Sequence, residues 1–283
     1  MDVRVQSVRL SSCGDSSAND TKGGDKDSAP NRATASPLNV MVVGDSLSQG
    51  REGDWTWRYR IWQWFRDSDI DMRFAGPYTG TFLEPDGHGQ GDDHETGGGY
   101  ARGVADAFLS NSNHYSLWGR AAAVTKREIQ DVLRKHPADL ALVMLGFNDM
   151  GWFYSDWKGT LESIRQLVDN ARKANPRLKF AVANVPHRSL LEGREDLVRN
   201  TDIYNSRLPE ALADKATSHS PVHVVDVATY YDCSADGCPA GYDGLHPNAL
   251  GEYQIAHAFS RTLVRNMNLG SKPLQVPTCQ GRS

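Results

Sequence analysis

Leu38-Asn39-Val40-Met41-Val42-Val43 is a short, nearly continuous apolar run that stops at Gly44. Its β-branched content and its length predict a strand buried on both faces, as in a parallel sheet. Helical spacing follows, with Trp57, Ile61, Trp64 and Phe65 on one face. The same alternation recurs down the chain. Residues 71–76 predict a second strand, and residues 119–135 a helix with Ala122, Ile129, Val132 and Leu133 on one face. His136-Pro137 ends that helix, because a residue before proline is pushed out of the α region. Residues 140–145 form the clearest strand. A helix over 157–174 stops before Asn175-Pro176, and a strand over 178–183 follows it. A helix over 202–216, a strand over 222–227 and a helix over 249–267 complete the series. Strands that alternate with helices need crossover connections, which predicts a parallel sheet with helices on both faces. The pattern gives one domain over 38–269, between a polar N-terminal tail (1–37) and a C-terminal tail (270–283).

One segment breaks the rhythm. Between Tyr78 and Trp118 the chain is rich in Gly, Asp, His and Asn. Structureless stretches of that length are uncommon inside a compact domain and often serve as lids or binding loops.

Composition removes several classes of function. Lys plus Arg number 31 against 35 Asp plus Glu, a net charge of −4. A nucleic-acid partner would call for a basic face, so none is expected. No apolar run reaches the 18 residues that a membrane-spanning helix needs. Gly14 to Pro37 offers almost nothing to bury and reads as a flexible tail. Met1 to Leu10 lacks the apolar core of a signal peptide. Leu10-Ser11-Ser12-Cys13 has the form of a lipoprotein cleavage box without the hydrophobic run before it, and reads as chance. Asn19-Asp20-Thr21 has the form of a glycosylation sequon, also common by chance.

The four cysteines are too few for a disulfide scaffold. Cys233 and Cys238 share a loop containing Gly, Asp and Pro, a natural place for a disulfide clip, while Cys13 and Cys279 lie near the termini. An oxidising, extracytoplasmic compartment is the expectation; four free thiols in a reducing one is the alternative.

In open α/β sheets, ligands sit beyond the carboxyl ends of the strands. Past the first strand come Gly44-Asp45-Ser46-Leu47-Ser48, past the third Gly146-Phe147-Asn148-Asp149, and past the fifth Asp243-Gly244-Leu245-His246-Pro247-Asn248. The strand assignments alone put a serine, an amide and an Asp/His pair at one end of one sheet. A serine nucleophile needs a base, and the base needs an orienting partner. His246 suits the first role and Asp243 the second, three residues apart on a turn. Acyl transfer also needs donors for the developing oxyanion. The Ser46 N–H, the Gly119 N–H and the Asn148 side-chain amide are the candidates. Taken singly, each block has a plain structural explanation: a turn with a helix cap, a strand-ending turn, a loop capping the last helix. Their joint appearance after strands one, three and five favours catalysis.

These blocks resemble those of the SGNH hydrolases, also called GDSL esterases and lipases. Gly44-Asp45-Ser46-Leu47-Ser48 is similar to the nucleophile block, Gly146-Phe147-Asn148-Asp149 to the Gly-x-Asn-Asp block, and Asp243 to Asn248 to the final Asp-x-x-His-Pro block. The oxyanion-glycine block best matches Trp118-Gly119-Arg120-Ala121-Ala122, with Gly97, Gly98 and Gly99 as upstream competitors. The resemblance spans about 44–248. It implies a three-layer α/β/α, flavodoxin-like fold around a five-stranded parallel sheet. It also implies a serine esterase working through an acyl-enzyme, without metal or cofactor. Within the family the layout looks closest to secreted microbial carbohydrate esterases such as acetylxylan esterases. That implies action on short-chain acyl esters of small or polymeric carbohydrates; a monomer is the expectation. The alternatives are a lipase or lysophospholipase, and a non-catalytic flavodoxin-like module that binds a sugar or a phosphate.

Asp45, Trp118 and Trp152 are expected to touch substrate. Trp55, Trp57 and Phe153 also lie near the blocks, and Trp57 and Trp64 read as packing residues. Two metal readings carry less weight. Asp92, Asp93, His94 and Glu95 read as a solvated acidic loop, and Cys233, Cys238 and His246 are irregularly spaced for zinc. His187, after Pro186, reads as a turn histidine.

Overall fold

β1 (Leu38–Gly44) is buried from Val40 onward in the computed structural model of the chain, as its apolar run requires. The structure describes residues 36–83 and 96–277. The tail as far as Ala35, with Cys13 and Asn19, the acidic segment Asp92–Glu95, and Cys279 lie outside the described residues. After β1 come α1 (Ser46–Gln49), α2 (Thr56–Asp67), β2 (Met72–Phe74), β3 (Thr81–Phe82), β4 (Thr96–Gly98), α3 (Asp106–Leu109) and β5 (Tyr115–Ser116). Then follow α4 (Ala122–Lys135), β6 (Leu140–Met144), α5 (Phe147–Gly151), α6 (Trp157–Ala174) and β7 (Lys179–Ala183). The chain continues through α7 (Asp196–Ala213), β8 (Val222–Val225), α8 (Val227–Tyr230) and α9 (Ala249–Met267).

The main sheet runs β2-β1-β6-β7-β8, with every neighbouring pair parallel. Strand order therefore reverses between β1 and β6, the crevice where doubly wound sheets place their ligands. α2 packs on α9, while α4 packs on α6 and α6 on α7, so helices cover both faces of the sheet. Trp57 and Phe259 join α2 to α9 as a parallel ring stack with centroids 4.7 Å apart. Glu252 of α9 accepts the Thr56 N–H at 2.7 Å and faces Arg60 at 3.4 Å.

Several expectations need correction. The helix expected from 119 begins at Ala122, because Ala121 is extended (φ −100°, ψ 148°) and Gly119 turns with φ +70°. The helix expected over 202–216 is α7, Asp196–Ala213. Its buried stripe of Leu197, Thr201, Tyr204, Leu208 and Leu212 starts earlier, and Pro209 sits inside it. The segment after Tyr78 is not structureless. β3 and β4 form an antiparallel ribbon, and β5 pairs with the last two residues of β1, beyond the end of β2. Fully buried Phe108 packs edge-on against Tyr59 and Trp62 of α2. Arg58 of α2 is 1% exposed and donates to the carbonyls of Ser48, Gln49, Gly80 and Ser112 and to the Tyr100 hydroxyl. The start of the segment expected as a C-terminal tail is also tied to the domain. Trp64 Nε1 donates to Lys272 O at 2.8 Å, and Leu274 N to Ser260 Oγ at 2.9 Å. No helix among the described residues is long and apolar enough to cross a membrane.

Cys233 and Cys238 form a disulfide that closes a loop of separation 5 just ahead of Asp243. So short a loop restricts the unfolded chain little, so Cys233→Ser/Cys238→Ser should cost at most about 2 kcal/mol. Peptide mapping without reductant should recover the two half-cystines linked; free thiols at both positions would contradict the pairing.

Candidate active site

Ser46 opens α1 directly after β1 and is 6% exposed. Asp45 caps this short helix, its Oδ1 accepting the Leu47 N–H at 3.0 Å. The strand-to-helix turn is tight enough that a Cβ on Gly44 would lie 2.3 Å from Ser48 Oγ, so only glycine fits there. His246 comes from the loop before α9. The Asp243 carboxylate organises that loop: Oδ1 accepts the N–H groups of His246 (2.8 Å) and Leu245 (3.1 Å), and Oδ2 lies 2.7 Å from His246 Nδ1. A carboxylate only accepts, so Nδ1 carries the proton and Nε2 is free to accept from Ser46 Oγ, 2.9 Å away. Burial raises the Asp243 carboxyl, but the hydrogen bonds and charge of His246 outweigh it and hold the group below the ordinary carboxylate value. Asn248 ends the loop as the cap of α9, accepting from Leu250 and Gly251. Tyr231 donates its hydroxyl proton to Leu245 O at 2.5 Å from beneath.

The imidazole is flanked by rings. Trp118 stacks on it at 4.5 Å between centroids and also stacks on Phe82 at 4.7 Å. Tyr242 lies 5.8 Å from the imidazole, and the Arg51 guanidinium covers Tyr242 at 4.1 Å.

Asn148, on α5 after β6, is 4% exposed. Its Nδ2 donates to Arg120 O (3.1 Å) and to Asp45 Oδ2 (3.3 Å), and its Oδ1 accepts from Trp152 Nε1 (2.8 Å). The Gly119 turn, closed by Arg120 N donating to Leu117 O, is thus joined to Asn148 on one side. On the other, the Trp118 N–H donates to Gln49 Oε1 of α1 at 2.6 Å. Gly97, Gly98 and Gly99 lie instead in and beside the β3–β4 ribbon, where Gly98 pairs with Thr81. Asp149, fully buried, caps α4 from α5 by accepting the N–H groups of Ala122 (2.7 Å) and Ala123 (2.9 Å). Burial pushes Asp149 up, and it pushes Asp45 up to about 7, with the nearby Asp149 charge adding to the rise. Asp149→Ala strands two donors at the start of α4, one buried and one half-buried, and should cost roughly 2–4 kcal/mol. Denaturant melts of both proteins test this; an unchanged midpoint would contradict the capping role.

Asp45 needs correcting as a substrate contact: it is 1% exposed, and both carboxylate oxygens are bonded inside the protein. Trp118 is half-buried against the histidine, whereas Trp152 is 65% exposed. The zinc reading fails because both cysteines are consumed by the disulfide. His187 faces Asp202 of α7 at 3.6 Å. Sequence reasoning missed Arg58, which holds the end of α1, and Gln49, which holds Trp118. Both depend on contacts far along the chain.

The model of the GDSL-like Lipase/Acylhydrolase family matches residues 40–259. No curated protein matches the sequence. Among solved structures, a carbohydrate esterase family 3 protein from Talaromyces cellulolyticus is similar in fold (TM-score 0.62, 20% identity, 82% of this chain and 98% of that one). So are an acetyl esterase mutant with acetate ion (TM-score 0.61, 20% identity, 82% and 98% covered) and a Clostridium thermocellum family 3 carbohydrate esterase (TM-score 0.58, 18% identity, 81% and 96% covered). These likenesses establish the α/β fold with its parallel sheet between helices. With the family match running from β1 into α9, the chain belongs to the GDSL-like lipase/acylhydrolase family and is a serine ester hydrolase.

Proposed function

We propose that the protein removes short acyl groups, above all acetyl, from carbohydrate esters by way of an acyl-enzyme on Ser46. The observation that carries this reading is the continuous hydrogen-bonded line from Ser46 Oγ through His246 to Asp243, with links of 2.9 and 2.7 Å. Ser46 Oγ attacks the ester carbonyl carbon as its proton passes to His246 Nε2. The carbonyl oxygen gains the negative charge and is met by the N–H groups of Ser46 and Gly119 and by Asn148 Nδ2. As the tetrahedral adduct collapses, the C–O bond to the alcohol breaks, and His246 returns its proton to the departing oxygen. Water then attacks the acyl-enzyme, again giving a proton to His246. The second collapse frees the carboxylic acid and restores the Ser46 hydroxyl. Asp243 keeps Nδ1 protonated and stabilises the imidazolium in each half-reaction. The reading calls for neither metal nor cofactor.

A carbohydrate alcohol is favoured by the rim next to Asn148, where Trp152, Phe153 and Tyr154 are 65%, 76% and 57% exposed. Aromatic faces suit the apolar faces of sugar rings. The names of the similar structures, carbohydrate esterase family 3 and acetyl esterase, point the same way. A lipid ester is the second reading, favoured by exposed Leu190 and Leu191. The disulfide fits an exported protein, since such bonds persist in oxidising compartments. A panel from acetylated sugars to long-chain acyl esters tests the assignment. The highest kcat/KM is expected on acetyl sugars, and a maximum on long chains would replace this reading with the second.

A further inference from the structure

Asn148 presents an ambiguity that the fold must resolve. Its amide has a donor end and an acceptor end of nearly equal size, and only the donor end can stabilise an oxyanion. An indole N–H can only donate, so the Trp152 Nε1–H, 2.8 Å from Asn148 Oδ1, dictates which end faces it. Rotating the amide would set two donors against each other at that spot. The NH₂ end is thereby turned toward Arg120 O and Asp45 Oδ2.

The placement of Trp152 is itself built. Its N–H donates to Asn148 O at 3.0 Å, ending α5. Phe153 follows with φ 59°, a left-handed conformation unusual for a bulky residue. Arg194 holds this turn from the loop before α7. It donates to the carbonyls of Met150 and Gly151, and its guanidinium lies 4.1 Å from the Phe153 ring centroid. Asp196, 2.9 Å from Arg194 Nε, fixes the guanidinium in turn. Yet the Trp152 side chain is largely in solvent, so burial does not explain it.

We propose that Trp152 is a positioning residue for catalysis, locking the Asn148 amide with its NH₂ end and not its carbonyl on the oxyanion side, so that the N–H in the longer contact to Asp45 Oδ2 (3.3 Å) can turn to the reacting carbonyl. This rests on the reading that Asn148 donates to the oxyanion. It departs from the expectation that Trp152 serves only as a substrate contact. Arg120 O favours the same orientation, so losing the indole N–H weakens the lock without abolishing it.

Trp152→Phe removes the N–H and keeps a ring, at a position too exposed to threaten folding. Kinetics on p-nitrophenyl acetate for the wild type, Trp152→Phe, Asn148→Ala and the double variant decide the matter. Asn148→Ala should lower kcat about 100-fold, as expected for one oxyanion donor, and Trp152→Phe roughly tenfold with KM nearly unchanged. In the Asn148→Ala background, Trp152→Phe should have almost no further effect, because the group it positions is gone. The proposal is overturned by an unchanged kcat in Trp152→Phe, by a rise in KM alone, or by an equal loss in both backgrounds. Wild-type kcat in Asn148→Ala would overturn the oxyanion reading itself, and Trp152 with it.

Discussion

Ser46→Ala should lower kcat on p-nitrophenyl acetate by roughly 10⁴–10⁶-fold, the range seen when an activated nucleophile is removed while the oxyanion donors remain. The hydroxyl contributes little to stability, since it adds one hydrogen bond to His246 in a helix already capped by Asp45. The melting temperature should therefore move by no more than a few degrees. A fluorophosphonate should label the wild type at Ser46 and leave the variant unlabelled. Ser48, two residues on, makes a sharp control: it is fully buried and its Oγ lies 3.3 Å from Trp57 Nε1. Near-wild-type turnover in a folded Ser46→Ala protein would remove the serine mechanism from this site.

The parts of this site that could be read from sequence share one property. Each follows a strand with a self-evident apolar run, Ser46 and Asn148 directly and the Asp243/His246 pair past the Cys233–Cys238 loop, so they fell at one sheet end without any knowledge of long-range contacts. Helices with local stop and start signals were equally legible. Residues 157–174 and 249–267 match α6 and α9, whose caps Asp156 and Asn248 and whose flanking prolines are written in the chain. What escaped was set across the fold. β5 exists because β2 stops short and leaves the end of β1 unpaired. Arg58 looks like an ordinary polar position on a helix until the segment after Tyr78 wraps over it. Asp45 carried a cap signal in its own position before a helix, yet its second oxygen meets Asn148, which is 103 residues away. The role of Trp152 was hidden for a different reason: an exposed indole near a site suggests a ligand, and only the geometry turns its N–H inward.

His246→Ala should be the most damaging change outside Ser46, by roughly 10⁵–10⁶-fold, because base and acid are lost together. Asp243→Asn should cost less, roughly 10²–10⁴-fold, since it removes the orienting charge and leaves the imidazole. The Asp243 side chain is 44% exposed, so water can replace part of its contribution. The sign of the pH dependence follows from the roles. His246 must be neutral to receive the Ser46 proton, so kcat/KM rises with pH as the imidazole loses its proton, then levels off. Asp243 is held below the ordinary carboxylate value, so it stays ionised through neutral pH and keeps its contact with His246 there. Chelators should leave every profile unchanged, whereas a metal-dependent hydrolase would lose turnover and regain it with added cation. A wild-type rate in His246→Ala would break the acid–base assignment. That result would take away the reason Ser46 is nucleophilic at all.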